Sequence, residues 1–227
     1  MQFEGLPENN TVLLTGTIVE GGVFSQEVYG EGCYMFRISS ERLSDKADIL
    51  PVTVSERLID KELLQVGKKV DITGQLRSYN NYNSKKNRLV LTVFAREIRL
   101  LEMDEEKTEN QIFLNGFLCK APVYRKTPFG REISDILVAV NRAYNKSDYI
   151  PCIAWGRNAR YTANLEVSSP IRVWGRIQSR VYQKRVGDEV EERTAYEVSV
   201  SKIELPAKET AVRSSAGIET TEAEKQE

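Results

Sequence analysis

The chain has 227 residues and a formal net charge of −1, with 32 Lys and Arg against 33 Asp and Glu. Apolar residues make up 41% and charged residues 29%, which gives enough core for one large domain or two of about 100 residues each. There is no histidine, which removes Ser-His-Asp and Cys-His catalysis and histidine metal sites.

The first regular element opens at Asn10-Thr-Val-Leu-Leu-Thr-Gly16, where Val12, Leu14, Gly16 and Ile18 fall on one face of a strand. A glycine inside a strand costs stability and marks a tight bend or a barrel corner. Extended runs follow at Tyr34–Ser39 and Leu50–Val54, then a helix-like segment over Glu56–Leu64 with Ile59 and Leu63 four apart. Two further strands run through Val70–Arg77 and Leu89–Leu100. The stretch Met103-Asp-Glu-Glu-Lys-Thr-Glu109 has no apolar periodicity after its methionine and forms a linker, 103–109.

The pattern then starts again. Asn110-Gln-Ile-Phe-Leu-Asn-Gly116 repeats the opening strand, with Ile112, Leu114, Gly116 and Leu118 on one face. Runs at Ile133–Val140 and Ile150–Trp155 follow, then a helical segment Asn158–Leu165, then strands Ile171–Tyr182 and Thr194–Leu205. Glu189, Glu191 and Glu192 form a solvated loop run between the last two. Beyond Leu205, the Lys-, Glu-, Ser- and Thr-rich segment 206–227 cannot bury enough surface to offset chain entropy and is expected to be a disordered acidic tail.

The copies are a duplication. Asp48-Ile-Leu-Pro51 returns as Asp148-Tyr-Ile-Pro151, and Val70-Asp-Ile-Thr-Gly74 as Ile171-Arg-Val-Trp-Gly175, at offsets of 100 and 101 residues. Strand-strand-strand-helix-strand-strand in about 95 residues is the order of the OB-fold, a five-stranded Greek-key barrel. The expected class is all-β: two tandem OB-folds over 1–102 and 110–205, each with one short helix. Cys33, Cys119 and Cys152 lack CxxC spacing and fit reduced thiols with no zinc site, Cys119 and Cys152 being expected as buried thiols in strands. Apolar runs such as Leu137–Val140 are too short to cross a bilayer, and Met1–Asn10 has no secretory pattern, so no membrane partner and a cytoplasmic location are expected.

Charge separates the halves. Residues 110–205 hold 15 basic and 10 acidic side chains, residues 1–109 hold 14 and 18, and residues 206–227 hold 3 and 5. A basic domain on a nearly neutral chain points to an anionic partner for that domain. The second copy also carries Tyr144, Tyr149, Trp155 and Tyr182, interleaved with Arg142, Lys146, Arg157, Arg176 and Arg180. Aromatic faces under bases and cations along phosphates are the two devices that hold single-stranded nucleic acid. At the aligned positions the first copy has Ser44, Ile49, Ser55 and Asn81. Trp174, beside Gly175, has the position of ordinary barrel packing.

Over most of 110–205 the second copy resembles the bacterial single-stranded DNA-binding proteins. The resemblance runs from Asn110–Gly116 through Pro122, Arg125, Thr127-Pro128 and Gly130. It continues with Leu137-Val-Ala-Val-Asn-Arg142, Asp148–Pro151, Ala154-Trp-Gly-Arg157, Gly175–Arg180 and Tyr196-Glu-Val198. It implies that Tyr144, Tyr149, Trp155 and Tyr182 stack on bases; the five basic positions are assigned from charge and neighbourhood. It also implies a non-catalytic, nucleoid-associated protein of DNA replication, recombination or repair, with no cofactor, and a homodimer reaching the family's four barrels. Replication and repair proteins are the expected protein partners. The family's acidic, apolar C-terminal tip has no counterpart in Ala223-Glu-Lys-Gln-Glu227, so recruitment through such a tip is not expected. A primosome-type protein adaptor and an RNA-binding OB protein remain open as alternatives.

Overall fold

Alternation of apolar and polar side chains resolves into eleven strands in a computed structural model that describes residues 9–28, 30–44, 46–80, 89–102, 104–187 and 189–206. The expectations for the tail beyond Pro206 and for Asn81 and Met103 lie outside the described residues. In the first half, β1 (Asn10–Val28), β2 (Glu31–Glu41), β3 (Ala47–Ser55), β4 (Lys69–Asn80) and β5 (Leu89–Leu100) form one barrel. β1 pairs with β4 over Val12–Thr17, bends, and continues against β2. A short parallel contact of β3 with β5, Val52 opposite Val93, closes the barrel.

The second half repeats this scheme with β6 (Asn110–Leu118), β7 (Val123–Lys126), β8 (Glu132–Asn141), β9 (Ser147–Trp155), α1 (Arg157–Thr162), β10 (Pro170–Val186) and β11 (Glu189–Glu204). β6 pairs with β10 and β8, and the parallel closure is β9 on β11 at Val198 opposite Cys152. The strand glycines sit at the bends, as their sequence position implies. A Cβ on Gly16 would lie 2.6 Å from the Ser39 carbonyl oxygen, and one on Gly116 would collide with that of Ala139. Val12, Leu14, Ile72 and Val93 fill one interior; Ile112, Leu114, Val138 and Val173 fill the other.

Three expectations change. β7 has no sequence signal because all four of its residues are exposed; pairing with β8, not burial, holds it. Glu189, Glu191 and Glu192 lie in β11, opposite Val186, Lys184 and Gln183, so the hairpin is longer than its apolar part. The first half's helix shrinks to a single 3-10 turn, Lys61–Leu63, where the Asp60 side chain accepts from the Glu62 N–H. Among the described residues no helix is long and apolar enough to cross a membrane.

The halves join edge to edge. β1 pairs antiparallel with β6, Asn10 opposite Leu114, Val12 opposite Ile112 and Leu14 opposite Asn110, making one eleven-stranded sheet. Val12 and Ile112 are equivalent residues, so a pseudo-two-fold axis passes between them. Side chains obey it: Asn10 clamps the Leu76 peptide with bonds of 2.8 and 3.0 Å, and Asn110 clamps that of Ile177 with 2.9 and 2.8 Å.

Candidate nucleic-acid interface

β9 has a period of two, broken only at Ile153, which is buried although it falls on the outer register. Asp148, Ile150, Cys152 and Ala154 point inward and are buried, whereas Tyr149 and Trp155 face outward, 46% and 39% exposed. A strand rises about 3.3 Å per residue, so the two rings stand about 20 Å apart on one face. Burial pushes the Cys152 thiol well above its ordinary value and leaves it inert.

Tyr144 tops the turn between β8 and β9. It is 92% exposed at φ 60°, followed by Asn145 at φ 54°, with the Arg142 N–H donating to the Lys146 carbonyl at 2.8 Å. Consecutive positive φ values fit a type I′ turn, which normally takes Asn or Gly. A bulky aromatic there is backbone strain, of the kind that clusters at ligand sites.

Tyr182 lies on β10 opposite Arg193, half-buried, with the Arg180 guanidinium carbon 5.6 Å from its ring centroid. It lines a groove of about 330 Å³ together with Pro151, Lys184 and Leu89–Leu91 of the first barrel. Pro151 lies between Tyr149 and Trp155 on the outer face of β9, so this groove connects Tyr182 to that face.

The basic positions divide. Lys146 and Arg157 are exposed, and no ion pair holds either side chain among the described residues. Arg180 reaches Glu197 at 3.6 Å and keeps about half its side chain in solvent. Arg142 is bound to the buried Asp148 carboxylate at 3.2 Å, and Arg176 reaches across to the buried Asp48 of β3. Each is therefore tied to a buried carboxylate that it shares with a second arginine, Arg77 at Asp148 and Arg42 at Asp48, which sets these two apart from Lys146, Arg157 and Arg180. Burial pulls the Arg176 guanidinium down, against the carboxylate's effect, but an arginine does not deprotonate in a protein.

Sequence reasoning missed what holds this face in place. Asp148 accepts the Ser78 N–H at 2.7 Å and the Arg77 guanidinium at 3.0 Å, both from β4 of the first barrel. The Tyr149 N–H donates to the Ser78 hydroxyl at 2.7 Å. The mirrored contact puts Asp48 on the Ser179 N–H at 2.8 Å, with the Ile49 N–H donating to the Ser179 hydroxyl at 3.1 Å. Each barrel thus pins the base of the other's hairpin. The duplicated Asp-x-x-Pro was visible in the sequence, but its partners lie 70 and 131 residues away.

In the first barrel the equivalent positions on β3 are Ile49 and Ser55, partly covered, and the outward-facing Thr53 bonds Thr92 at 2.9 Å. That face offers no aromatic platform.

Comparison with known proteins agrees with this asymmetry. The family model for the single-strand binding protein family matches residues 109–206. Single-stranded DNA-binding protein A of Bacillus subtilis is 36% identical over 88 residues, 36% of this chain and 51% of that one. Single-stranded DNA-binding protein B of the same bacterium is 35% identical over 85 residues, 34% of this chain and 75% of that one. For several of these curated relatives the chain spans just over half their length, 51% and 59% for two of them. The crystal structure of the single-stranded DNA binding protein from Thermus aquaticus superposes with a TM-score of 0.72 at 21% identity, over 87% of this chain and 93% of that one. At that identity the likeness concerns the fold, and its coverage takes in both barrels.

Proposed function

The chain belongs to the single-strand binding protein family, and on that premise we propose that it is a non-catalytic protein holding single-stranded DNA in replication, recombination or repair. The strand crosses the second barrel, its bases stacking on Tyr144, Tyr149, Trp155 and Tyr182 and its phosphates meeting Lys146, Arg157 and Arg180. Arg142 and Arg176 act one step back, holding the buried carboxylates that fix the hairpins. One observation carries this reading: two large aromatics stand exposed on the outer face of β9, on the half with the basic excess. The acidic first barrel serves as scaffold. Two chains related by a two-fold axis would bring four barrels together through the sheet face that presents Leu13, Phe113 and Trp174, where Trp174 stands partly exposed against Phe113 and not in the barrel packing expected from its sequence position.

The test is a titration of the full chain with poly-dT, poly-rU and duplex DNA in rising salt, followed by tryptophan emission. Poly-dT should bind with a steep negative log–log salt slope and quench emission. Trp155→Ala should lose roughly 1–3 kcal/mol of affinity. A folded Trp155→Ala chain that binds poly-dT like the parent would refute the site, and duplex preference would refute the function.

A further inference from the structure

We propose that Phe129, at the tip of the β7–β8 hairpin, is a further base-stacking position that carries a single strand past Trp155. This rests on the reading of the second barrel as a single-strand binder. Phe129 is 93% exposed, more than any of the four aromatics already assigned. It does not sit on a floppy loop. The Thr127 N–H donates to the Arg131 carbonyl at 2.8 Å and the Gly130 N–H to the Thr127 carbonyl at 2.8 Å. The Arg131 N–H also donates to the Thr127 hydroxyl at 3.1 Å. Gly130 closes the turn at φ 75°, a conformation that favours glycine. The ring is thus presented on a pre-organised turn, and binding loses little chain entropy.

The hairpin lies on the right face. Arg125 pairs with Ile133 and Ile133 with Trp155, so the three side chains form one row across β7, β8 and β9. Neighbouring strands are about 4.8 Å apart, which puts Arg125 about 10 Å from Trp155 on the way to the tip. Lys126 and Arg131 flank Phe129, and no ion pair holds either side chain among the described residues.

Charge and shape select the occupant. A protein-docking patch needs several contiguous apolar residues, but the neighbours of Phe129 are Lys126, Thr127, Pro128, Gly130 and Arg131. One ring between cations matches a base with its phosphates. The corresponding ribbon of the first barrel, β1–β2, carries Glu20, Glu27 and Glu31, with Glu20 paired to Arg37 and Glu31 to Arg57, and so offers a phosphate chain no net positive charge.

The experiment measures fluorescence anisotropy of the full chain, its Phe129→Ala, Phe129→Trp and Trp155→Ala variants, with labelled oligo-dT of increasing length at one salt concentration. Phe129→Ala should bind long oligo-dT about tenfold more weakly and the shortest oligomers nearly normally. That loss is within what one stacked base contributes. Phe129→Trp should keep its affinity and show extra emission quenching on oligo-dT. Phe129→Ala affinity equal to the parent at every length, with Trp155→Ala weakened, overturns this inference alone. A parent chain that fails to bind oligo-dT overturns the reading beneath it.

Discussion

Replacing Asp148 by alanine should destabilise the fold and the β8–β9 hairpin that carries Tyr144 and Tyr149 together. The carboxylate is fully buried and accepts the Ser78 N–H at 2.7 Å, Arg77 at 3.0 Å and Arg142 at 3.2 Å. In Asp148→Ala the two guanidinium groups, only 23% and 32% exposed, lose their counter-charge, and a buried N–H loses its acceptor. Breaking a buried ion cluster in this way costs about 3–5 kcal/mol, a large share of the roughly 5–15 kcal/mol that holds a domain folded. The exposed pair Arg125–Asp135, 2.9 Å apart at 50% and 43% exposure, is the internal control. Arg125→Ala should change stability by less than about 1 kcal/mol. Urea unfolding by far-ultraviolet circular dichroism gives both values on one scale. A loss below about 1 kcal/mol in Asp148→Ala, no larger than the control, would show that the inter-barrel carboxylate does not anchor the hairpin.

Gly116→Ala should destabilise by more than about 1 kcal/mol, because a Cβ there collides with the Ala139 backbone, which cannot swing aside as a flexible side chain would; a melting curve matching the parent would remove the argument for the bend. Light scattering at micromolar concentration should give about 52 kDa, twice the 25.8 kDa chain, and a monomeric mass with full DNA affinity would count against the four-barrel assembly.

The fold was legible wherever one face of a strand is buried. Val12, Leu14, Ile112 and Leu114 announce their strands because a two-residue period has only one way to fill a barrel. β7 was not legible, since Val123–Lys126 bury nothing and are held by backbone pairing and exposed polar contacts such as Arg125–Asp135, which leave no apolar period. The ends of the β10–β11 hairpin escaped for the same reason: there Lys184 opposite Glu191 replaces apolar contact. In the candidate site, composition and spacing drew attention to the aromatics among arginines, and the family resemblance supplied their expected stacking role. They could not sort the arginines. Arg142 and Arg157 look alike in a sequence, and only the fold shows that one meets Asp148 while the other faces solvent. Phe129 was readable in principle, as a ring between Lys126 and Arg131 in a Thr-Pro-Phe-Gly turn.

The pseudo-symmetry makes a stronger demand than the likeness of the two halves. Cutting the chain before Asn110 strips β6 of β1 and leaves residues 110–114 as an open strand edge. That edge complements itself, because the axis passes between equivalent residues. Asn110 of one fragment would face Leu114 of another, with Ile112 opposite Ile112. The second contact also survives the exchange. Ser179 and Arg176 already hold Asp48 of the first barrel, and in a pair of second barrels they would meet the equivalent Asp148. The fragment 110–205 should therefore dimerise in place of the lost half and bind oligo-dT, since all four of its assigned aromatics lie within it. Fragment 1–109, with 18 acidic against 14 basic side chains and no aromatics at the equivalent β3 positions, should bind weakly or not at all. Light scattering and anisotropy on both purified fragments decide the matter. If 110–205 stays monomeric, the inter-barrel contacts depend on differences between the halves and not on what they share. If 1–109 binds oligo-dT as tightly as 110–205, the division of labour between acidic scaffold and basic, aromatic reader is wrong.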